Sequence, residues 1–209
     1  NGPALSDIKK TLGKFYGLDS IRIDEKLDVL KRIQLLIVAK PDTAFSEKDK
    51  FIIDQYVMNG GKILWCMDAT NASMDSLARL PEAMALSKTL NIDDMLFRYG
   101  VRINADLIMD MQAVPIPVMT RNYMGNQPVQ KMLPWPFFPM LFSTSSHPIV
   151  ENLNAIKTEF ASSMDTINNS GVVKTVLLTS SKYSRAAQVP VRISLDIFDS
   201  KPNPKFYNK

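Results

Sequence analysis

The 209-residue chain contains one cysteine, Cys66, and one histidine, His147. A single cysteine excludes a disulfide within the chain, and one Cys with one His falls short of the Cys and His set of a structural zinc site. No run approaches the roughly 20 apolar residues that cross a bilayer. The NGGK motif at residues 59–62 lacks the further glycine and the Ser or Thr of a nucleotide-binding P-loop. We therefore expect no metal, no cofactor and no ATPase site in this chain.

Charge of either sign is modest and scattered. The 25 Lys and Arg residues and 21 Asp and Glu residues leave a net charge of +4, without a basic cluster. Nucleic-acid-binding domains present a basic patch or stripe, so we expect no nucleic-acid partner. A chain of this length can bury a core without disulfides or metals. We predict a single α/β domain over residues 1–199, with an exposed tail at residues 200–209.

Residues 33–67 show the clearest local pattern, two unbroken apolar runs with a helical stretch between them. Ser46 and Asp49 resemble a capping box at the start of the helix. Gly60 and Gly61 mark its end. The order strand, helix, strand predicts a βαβ unit with parallel strands and a right-handed crossover.

The same apolar runs indicate burial. Unbroken runs such as IQLLIVAKP and KILWCM suit strands that are covered on both faces, as in parallel sheets. Cys66 lies in the second run between Trp65 and Met67, so we expect it to pack in the core as a small hydrophobe. The run VVKTVLLTSS at residues 172–181 predicts a third buried strand.

Six prolines fall within residues 112–142. Proline lacks the N–H that a strand ladder needs, so this stretch is predicted to be edge strand or loop, an excursion from the domain. It carries Trp135, Phe137 and Phe138. These side chains either form a partner interface, in which aromatic residues are enriched, or cover one edge of the domain's own core.

Several pieces of the chain, read in order, resemble one known family. They are LLIVAKP, FSEKDKFIIDQYVMNGGKILWCMDAT, SSHPIVENL, TVLLTSSKYS and VPVRISLDIFDSKPNPKFYN. Together they look like the soluble domain of the gliding-motility-associated ABC transporter auxiliary proteins of the GldG family. The resemblance runs from residue 33 to the C-terminus, and it rests on the order of the pieces and on the DSKPNPKFYN ending.

This resemblance implies a flavodoxin-like, three-layer α/β sandwich with a mainly parallel sheet, similar to class I glutamine amidotransferases. It also implies placement on the extracytoplasmic (periplasmic) face of the inner membrane, with anchoring helices outside this segment. The implied partners are the ABC permease and ATPase subunits of the same system. A related domain in intraflagellar-transport proteins binds partners and has no known catalysis, and many members of the family come from bacteria that do not glide.

An enzyme of this fold would need Cys66 or a serine beside His147, the one candidate general base. Amidotransferase-like enzymes hold their cysteine on a tight turn flanked by small residues, whereas Cys66 has bulky neighbours. His147 precedes a proline, which favours an extended turn where the ring bonds to backbone. Ser180 and Ser181 follow a predicted strand but lack flanking glycines. Asp110, at the end of another predicted strand, is expected to be solvated.

The loops at the carboxyl ends of the predicted parallel strands are the remaining candidate site, because ligands bind there in open α/β sheets. These loops are residues 40–45, 68–74 and 180–185. Their candidate ligand- or partner-binding residues are Asp68, Thr70, Asn71, Ser180, Ser181 and Tyr183. The same residue types are ordinary turn formers.

The sequence thus predicts a non-enzymatic auxiliary domain of an ABC transport system that binds a substrate or a protein partner. Two alternatives stay open. One is a hydrolase or amidotransferase that uses Cys66 or a serine with His147. The other is a cell-surface glycan-binding module that uses the aromatic stretch.

Overall fold

The computed structural model describes residues 5–80, 82–124, 127–168 and 171–198, and the predicted tail at 200–209 lies outside them. The chain divides into two compact units. The first unit comprises the chain up to Met67 together with Leu90–Met95, and the second comprises Asp68–Thr89 and the chain from Leu96 onward.

The first unit contains a short helix α1 (Ser6–Leu12), then β1 (Leu35–Ala39), α2 (Glu47–Met58) and β2 (Lys62–Cys66). β1 and β2 pair in parallel along their full length. The predicted strand, helix, strand order is therefore confirmed. The helix also begins where expected, because the Ser46 hydroxyl accepts a hydrogen bond from the backbone N–H of Asp49 at 3.1 Å.

Two glycines shape the turn between α2 and β2. Gly60 has φ +88°, in the left-handed region that favours glycine. Gly61 lies against the ring of Tyr56, where a Cβ atom would overlap the ring carbons. The Tyr56 hydroxyl bonds both to the backbone N–H of Lys62, at 3.2 Å, and to its carbonyl, at 3.1 Å. The turn therefore fixes where β2 starts relative to the helix.

The β1–β2 sheet alternates between a partly buried face and an exposed face. Leu35, Ile37 and Leu64 are 50%, 39% and 49% exposed. Cys66 lies on the same exposed face. The prediction that these strands are buried on both faces, with Cys66 in the core, is wrong. A run of aliphatic residues indicates β-propensity, whereas the burial of each strand face depends on the elements that pack against it.

The second unit holds most of the strands. In chain order its elements are α3 (Met74–Arg79), β3 (Glu82–Ala85), α4 (Asp93–Arg98, which begins in the first unit), β4 (Val101–Ile103), β5 (Asp106–Asp110), β6 (Ala113–Met124), β7 (Gln127–Ser143), β8 (Ile156–Lys157), β9 (Met164–Thr166), β10 (Leu178–Thr179), β11 (Ser184–Gln188), β12 (Val191–Ser194) and a 3-10 helix (Leu195–Phe198).

All strand pairings recorded in this unit are antiparallel. β7 pairs with β6, β8 and β10, while β5 pairs with β11, β3 with β12, and β4 with β9. The predicted flavodoxin-like, three-layer sandwich with a mainly parallel sheet is therefore wrong. Parallel strands need long crossovers that are usually helical. α3 and α4 have six residues each, too few to cover a sheet face in that way.

The apolar run at residues 172–181 does not form the predicted buried strand. Only Leu178–Thr179 is a strand, β10, at the edge of the sheet beside β7. Val173 is 95% exposed. The sequence of this run favours a strand, but only Leu178 and Thr179 pair with the antiparallel sheet.

The proline-rich stretch forms the longest strands of the chain, β6 and β7, and β7 occupies the middle of its sheet between β6 and β10. The prediction of loop or edge strand holds for β6 and is wrong for β7. The ladder is interrupted between the pairs Ala113↔Pro139 and Pro115↔Pro134, where β7 contributes more residues than β6 and bulges; Pro136 lies within this interruption, and Pro134 and Pro139 bound it.

The bulge in β7 builds the core of the second unit. It contains Trp135, Phe137 and Phe138, which are at most 3% exposed. Because strict alternation is broken there, the consecutive residues Phe137 and Phe138 both point inward. Phe160 packs against both rings, with centroids 6.2 and 5.4 Å away. Phe198 lies 5.4 Å from the Trp135 ring.

Candidate functional site

Strand β5 carries a buried aspartate at each end. Asp106 is 1% exposed and Asp110 is fully buried. Four residues apart on a strand, the two carboxyl groups lie on the same side. Burying a carboxyl group is costly unless hydrogen bonds compensate it, so the partners of these two residues decide what they do.

Asp110 holds the loop that follows β10. One carboxylate oxygen accepts hydrogen bonds from the hydroxyl of Ser181 at 2.5 Å and from the backbone N–H of Gln112 at 2.8 Å. The other oxygen accepts from the backbone N–H of Ser181 at 2.8 Å. The prediction that Asp110 is solvated is wrong. The carboxylate instead accepts hydrogen bonds from three donors that would otherwise bond to water.

The other predicted residues of this loop divide into inward and outward groups. The hydroxyls of Ser180 and buried Ser184 bond to each other at 2.8 Å. Ser181 also accepts from the backbone N–H of Tyr183 at 3.0 Å. Tyr183 is 41% exposed, with the Lys182 ammonium 5.0 Å from its ring centroid. The loop thus presents Lys182 and Tyr183 to solvent, while the three serines hold its shape.

Asp106 serves the opposite end of β5 in the same manner. Its oxygens accept from the backbone N–H of Ser163 at 2.7 Å and from the hydroxyl of Ser163 at 2.6 Å. The Ser162 hydroxyl donates to the Asp106 carbonyl at 2.8 Å. Both aspartates therefore anchor serine-containing loops to one strand. The Asp-x-x-x-Asp spacing in DLIMD, within an apolar strand, was the signal for a shared buried side.

The loop at residues 68–74 forms a separate bonding group. Asp68 is half-buried and Thr70 is buried, forming a β-bridge with Ser87. The side chain of Asn71 accepts from the backbone N–H of Leu86 at 2.7 Å, and the backbone N–H of Asn71 donates to the Leu86 carbonyl at 3.0 Å. Thr70 and Asn71 therefore attach their loop to the segment before residue 88, whereas Ser180 and Ser181 attach theirs to β5 and β11.

The candidate base and nucleophiles are held in ordinary structural contacts. The Nδ1 atom of His147 accepts from the backbone N–H of Ile149 at 3.2 Å, which confirms its role as a loop anchor. Cys66 lies on the exposed face of the β1–β2 sheet. The Ser181 hydroxyl donates to the Asp110 carboxylate and not to an imidazole, so it forms no Ser-His pair.

The interface candidates Trp135, Phe137 and Phe138 lie in the core of the second unit. This is the alternative in which the aromatic side chains cover the domain's own core. The Trp135 indole N–H finds no hydrogen-bond partner within the described residues. With their rings buried, these residues offer no surface on which a sugar could stack.

One charged cluster lies in the first unit, around Lys50. Its ammonium, with a side chain only 8% exposed, pairs with Asp94 at 2.7 Å and with Glu47 at 3.1 Å. The hydrogen bond to Asp94 is the main cause that raises the pKa of Lys50. The pKa of Glu47 is lowered, first by its hydrogen bond from Asn91 and then by Lys50. The cluster clamps residues 90–94 to the start of α2.

Two further properties bear on function. Among the described ranges, no three or more His, Cys, Asp or Glu side chains are grouped so that they could hold a metal ion. Every helix in those ranges is too short or too polar to cross a membrane.

Comparison with known proteins supplies the remaining findings. The model of a family described as "ABC-type uncharacterized transport system" (ABC_transp_aux) matches residues 2–209. A search of curated proteins gave no match. Among solved structures, the chain is similar to the mmIFT52 N-terminal domain, with 18% identity and a TM-score of 0.51. That likeness covers 77% of this chain and 64% of the other, and at this identity it shows the fold alone.

Proposed function

The chain belongs to this family of ABC-type transport auxiliary proteins, and we propose that it is a non-catalytic domain that binds a protein partner of the transporter. It works on the extracytoplasmic face of the inner membrane, tethered by helices outside this segment. Its partners are the permease and ATPase subunits of the same system, and nucleotide hydrolysis belongs to the ATPase subunit.

The observation that carries this proposal is how the polar side chains are used. Ser181, the serine nearest a buried carboxylate, donates to Asp110 and accepts from backbone. The His147 ring nitrogen that could act as a base accepts from the backbone of its own turn. The hydrogen bonds of these groups hold the conformations of their own loops. A rigid loop that shows Lys182 and Tyr183 to solvent suits recognition of another protein.

Co-purification tests the proposal. The full-length protein is co-expressed with the permease and ATPase subunits, and the permease recovered with it is measured. The double variant Cys66→Ala/His147→Asn removes the candidate nucleophile and base, while asparagine can still accept the Ile149 N–H. We expect wild-type recovery and wild-type transport from this variant. Absence of permease in the wild-type preparation, or lost transport at normal expression of the variant, contradicts the proposal.

Cys66 also reports the placement of the domain, because its thiol is exposed. A membrane-impermeant maleimide added to cells with a permeabilised outer membrane is expected to label it, with Cys66→Ala as the control. Labelling that needs disruption of the inner membrane argues against an extracytoplasmic position. The resemblance to GldG proteins extends the proposal to gliding motility, and colony spreading by a deletion strain measures that part.

A further inference from the structure

The first helix of the chain, α1, is exposed along almost its whole surface. It buries none of its residues. Every residue from 6 to 20 is exposed except Leu12, which is half-buried. By contrast, α2 buries Ile52, Ile53 and Tyr56 against its own unit. Within the part of the chain that the structure describes, α1 therefore has no core to pack on.

Helical winding continues beyond the end of α1. The backbone N–H groups of Gly13 and Tyr16 donate to the carbonyls of Lys9 and Leu12, each at 2.9 Å. We call residues 6–16 the α1 segment, which spans about 16 Å. A helix this short is marginal in water, and helices in proteins are stabilised mainly by packing of an amphipathic face. The α1 segment therefore needs a surface that the described residues do not supply.

One side of the α1 segment is apolar. Ile8, Leu12 and Phe15 have the spacing of one helix face, and Tyr16 lies beside them. Ile8, Phe15 and Tyr16 are 52%, 77% and 65% exposed. Phenylalanine and tyrosine offer large apolar areas, and tyrosine adds a hydroxyl that suits a boundary between water and an apolar layer.

The other side of the α1 segment is basic. Lys10 and Lys14, four residues apart, lie opposite the apolar face, and Lys9 lies at the border between the two sides. With Asp7 as the one acidic residue, the segment has a net charge of +2, and residues 1–4, NGPA, add no charged side chain. Lysine on the polar face and aromatic residues on the other are typical of helices that lie in a membrane surface.

The lysines distinguish a bilayer from a protein partner. Protein interfaces are depleted in lysine, and a second copy of this chain would bring three more lysines to the same contact, where like charges repel. A bilayer with anionic lipid offers the opposite charge along the whole helix. Lysine side chains can then reach the headgroups while their stems and the aromatic rings lie at the acyl boundary.

We infer that the α1 segment lies in the surface of an anionic phospholipid bilayer, with Phe15 and Tyr16 at the acyl boundary and the lysines among the headgroups. The choice of a bilayer rests on the proposed function, in which the domain is tethered beside the inner membrane. A helix of this length binds weakly alone, but the tether gives it a high effective concentration at the bilayer. The contact holds the first unit against the membrane.

Sedimentation of the purified chain with vesicles tests this inference. Vesicles of phosphatidylethanolamine and phosphatidylglycerol are compared with vesicles of phosphatidylcholine alone. We expect binding to the anionic vesicles, and a partition coefficient at least about tenfold lower for Lys10→Gln/Lys14→Gln, since each lysine near an anionic surface contributes a factor of about five. The matched control is Lys62→Gln/Lys131→Gln, which removes the same charge at two exposed positions and should match wild type.

Equal binding by the two double variants, or no binding of wild type to the anionic vesicles, overturns the inference. Because the permease is absent from this assay, either result leaves the proposed function standing. Absence of permease in the co-purification, with vesicle binding intact, overturns the proposed function alone.

Phe15→Ser tests the apolar face, and Phe97→Ser is its matched control because Phe97 is 53% exposed. Phe15→Ser is expected to lower the partition coefficient at least about fivefold through lost apolar burial, and Phe97→Ser to match wild type. The midpoint of thermal unfolding of Phe15→Ser should equal that of wild type, since the ring is 77% exposed. A clearly lower midpoint means that Phe15 packs on the domain, and it overturns the inference.

Benzoylphenylalanine in place of Phe15 identifies the occupant in the full-length protein in its own membranes. The expected photoproduct is an adduct with phospholipid. An adduct with the permease or with a second copy of this chain, in place of lipid, refutes the bilayer contact.

Discussion

Replacement of Asp110 by asparagine tests whether the buried carboxylate holds the loop after β10. Asparagine has almost the same shape but one oxygen in place of two. The best orientation keeps the oxygen facing the Ser181 hydroxyl and the Gln112 N–H, and turns the amide NH₂ toward the Ser181 N–H. Two donors then face each other in a site without solvent.

The expected loss of stability in Asp110→Asn follows from that geometry. A hydrogen bond to a charged group contributes about 1.5–3 kcal/mol, and a buried donor left unpaired costs about 1–3 kcal/mol. Because asparagine retains two of the three bonds, we expect the free energy of unfolding of the second unit to fall by about 2–4 kcal/mol. Domains are stable by only about 5–15 kcal/mol, so the change is large.

Urea unfolding followed by tryptophan fluorescence measures this change, because Trp135 reports on the core of the second unit. Hydrogen exchange at the Ser181 amide gives a local readout that a general loss of stability does not mimic. The control is Asp196→Asn, since the Asp196 side chain is 69% exposed. An Asp110→Asn protein with unchanged Ser181 protection and an unfolding free energy within about 0.5 kcal/mol of wild type would refute the reasoning.

Two further predictions concern the first unit. Lys50→Met is expected to lower the free energy of unfolding by about 1 kcal/mol near neutral pH. The pKa of Lys50 is raised in the folded state. The stabilisation by the Lys50 ammonium is therefore complete below the unfolded pKa of about 10.4 and is lost as pH rises through the folded pKa. Unfolding of wild type and variant at pH 8, 10 and 11.5 checks the sign, and a difference that grows at alkaline pH contradicts it. Gly61→Ala should cost about 1–3 kcal/mol because the new methyl group overlaps the Tyr56 ring, whereas Gly17→Ala, with open space around it, should cost under about 0.5 kcal/mol in the same unfolding assay.

Short-range signals predicted the first unit well. Ser46 caps α2, Gly60 ends it in the left-handed region, and the two flanking strands are parallel. These features depend on bonds between residues close in sequence, so the residues themselves carry the information. Whether a strand face is covered by other elements depends instead on residues far apart in sequence. The runs around Ile37 and Leu64 are apolar throughout, yet one side of each strand is exposed.

The same reasoning gave wrong predictions for features of the second unit that depend on contacts between residues far apart in sequence. The prolines of β7 argued against a central strand, but the ladder is interrupted by a bulge near Trp135 that contains Pro136 and is bounded by Pro134 and Pro139. Asp110 was expected in solvent because Ser181, which donates two of its three hydrogen bonds, lies 71 residues away and could not be identified from spacing. Sequence reasoning found Ser180 and Ser181 as polar loop residues, and the structure shows that Ser181 bonds to the buried carboxylate of Asp110 while Ser180 bonds to Ser184.

The exposure of Cys66 changes which experiment separates an enzyme from a binding domain. For a buried thiol, fast labelling without denaturant would have signalled an unexpected reactive site. On an exposed sheet face, labelling is expected for a structural cysteine as well, because access is one of the two conditions for reaction. Reactivity therefore no longer distinguishes the two classes. Function in the Cys66→Ala/His147→Asn variant does, since a cysteine nucleophile cannot be replaced by alanine without loss of turnover, whereas a partner-binding domain tolerates both changes.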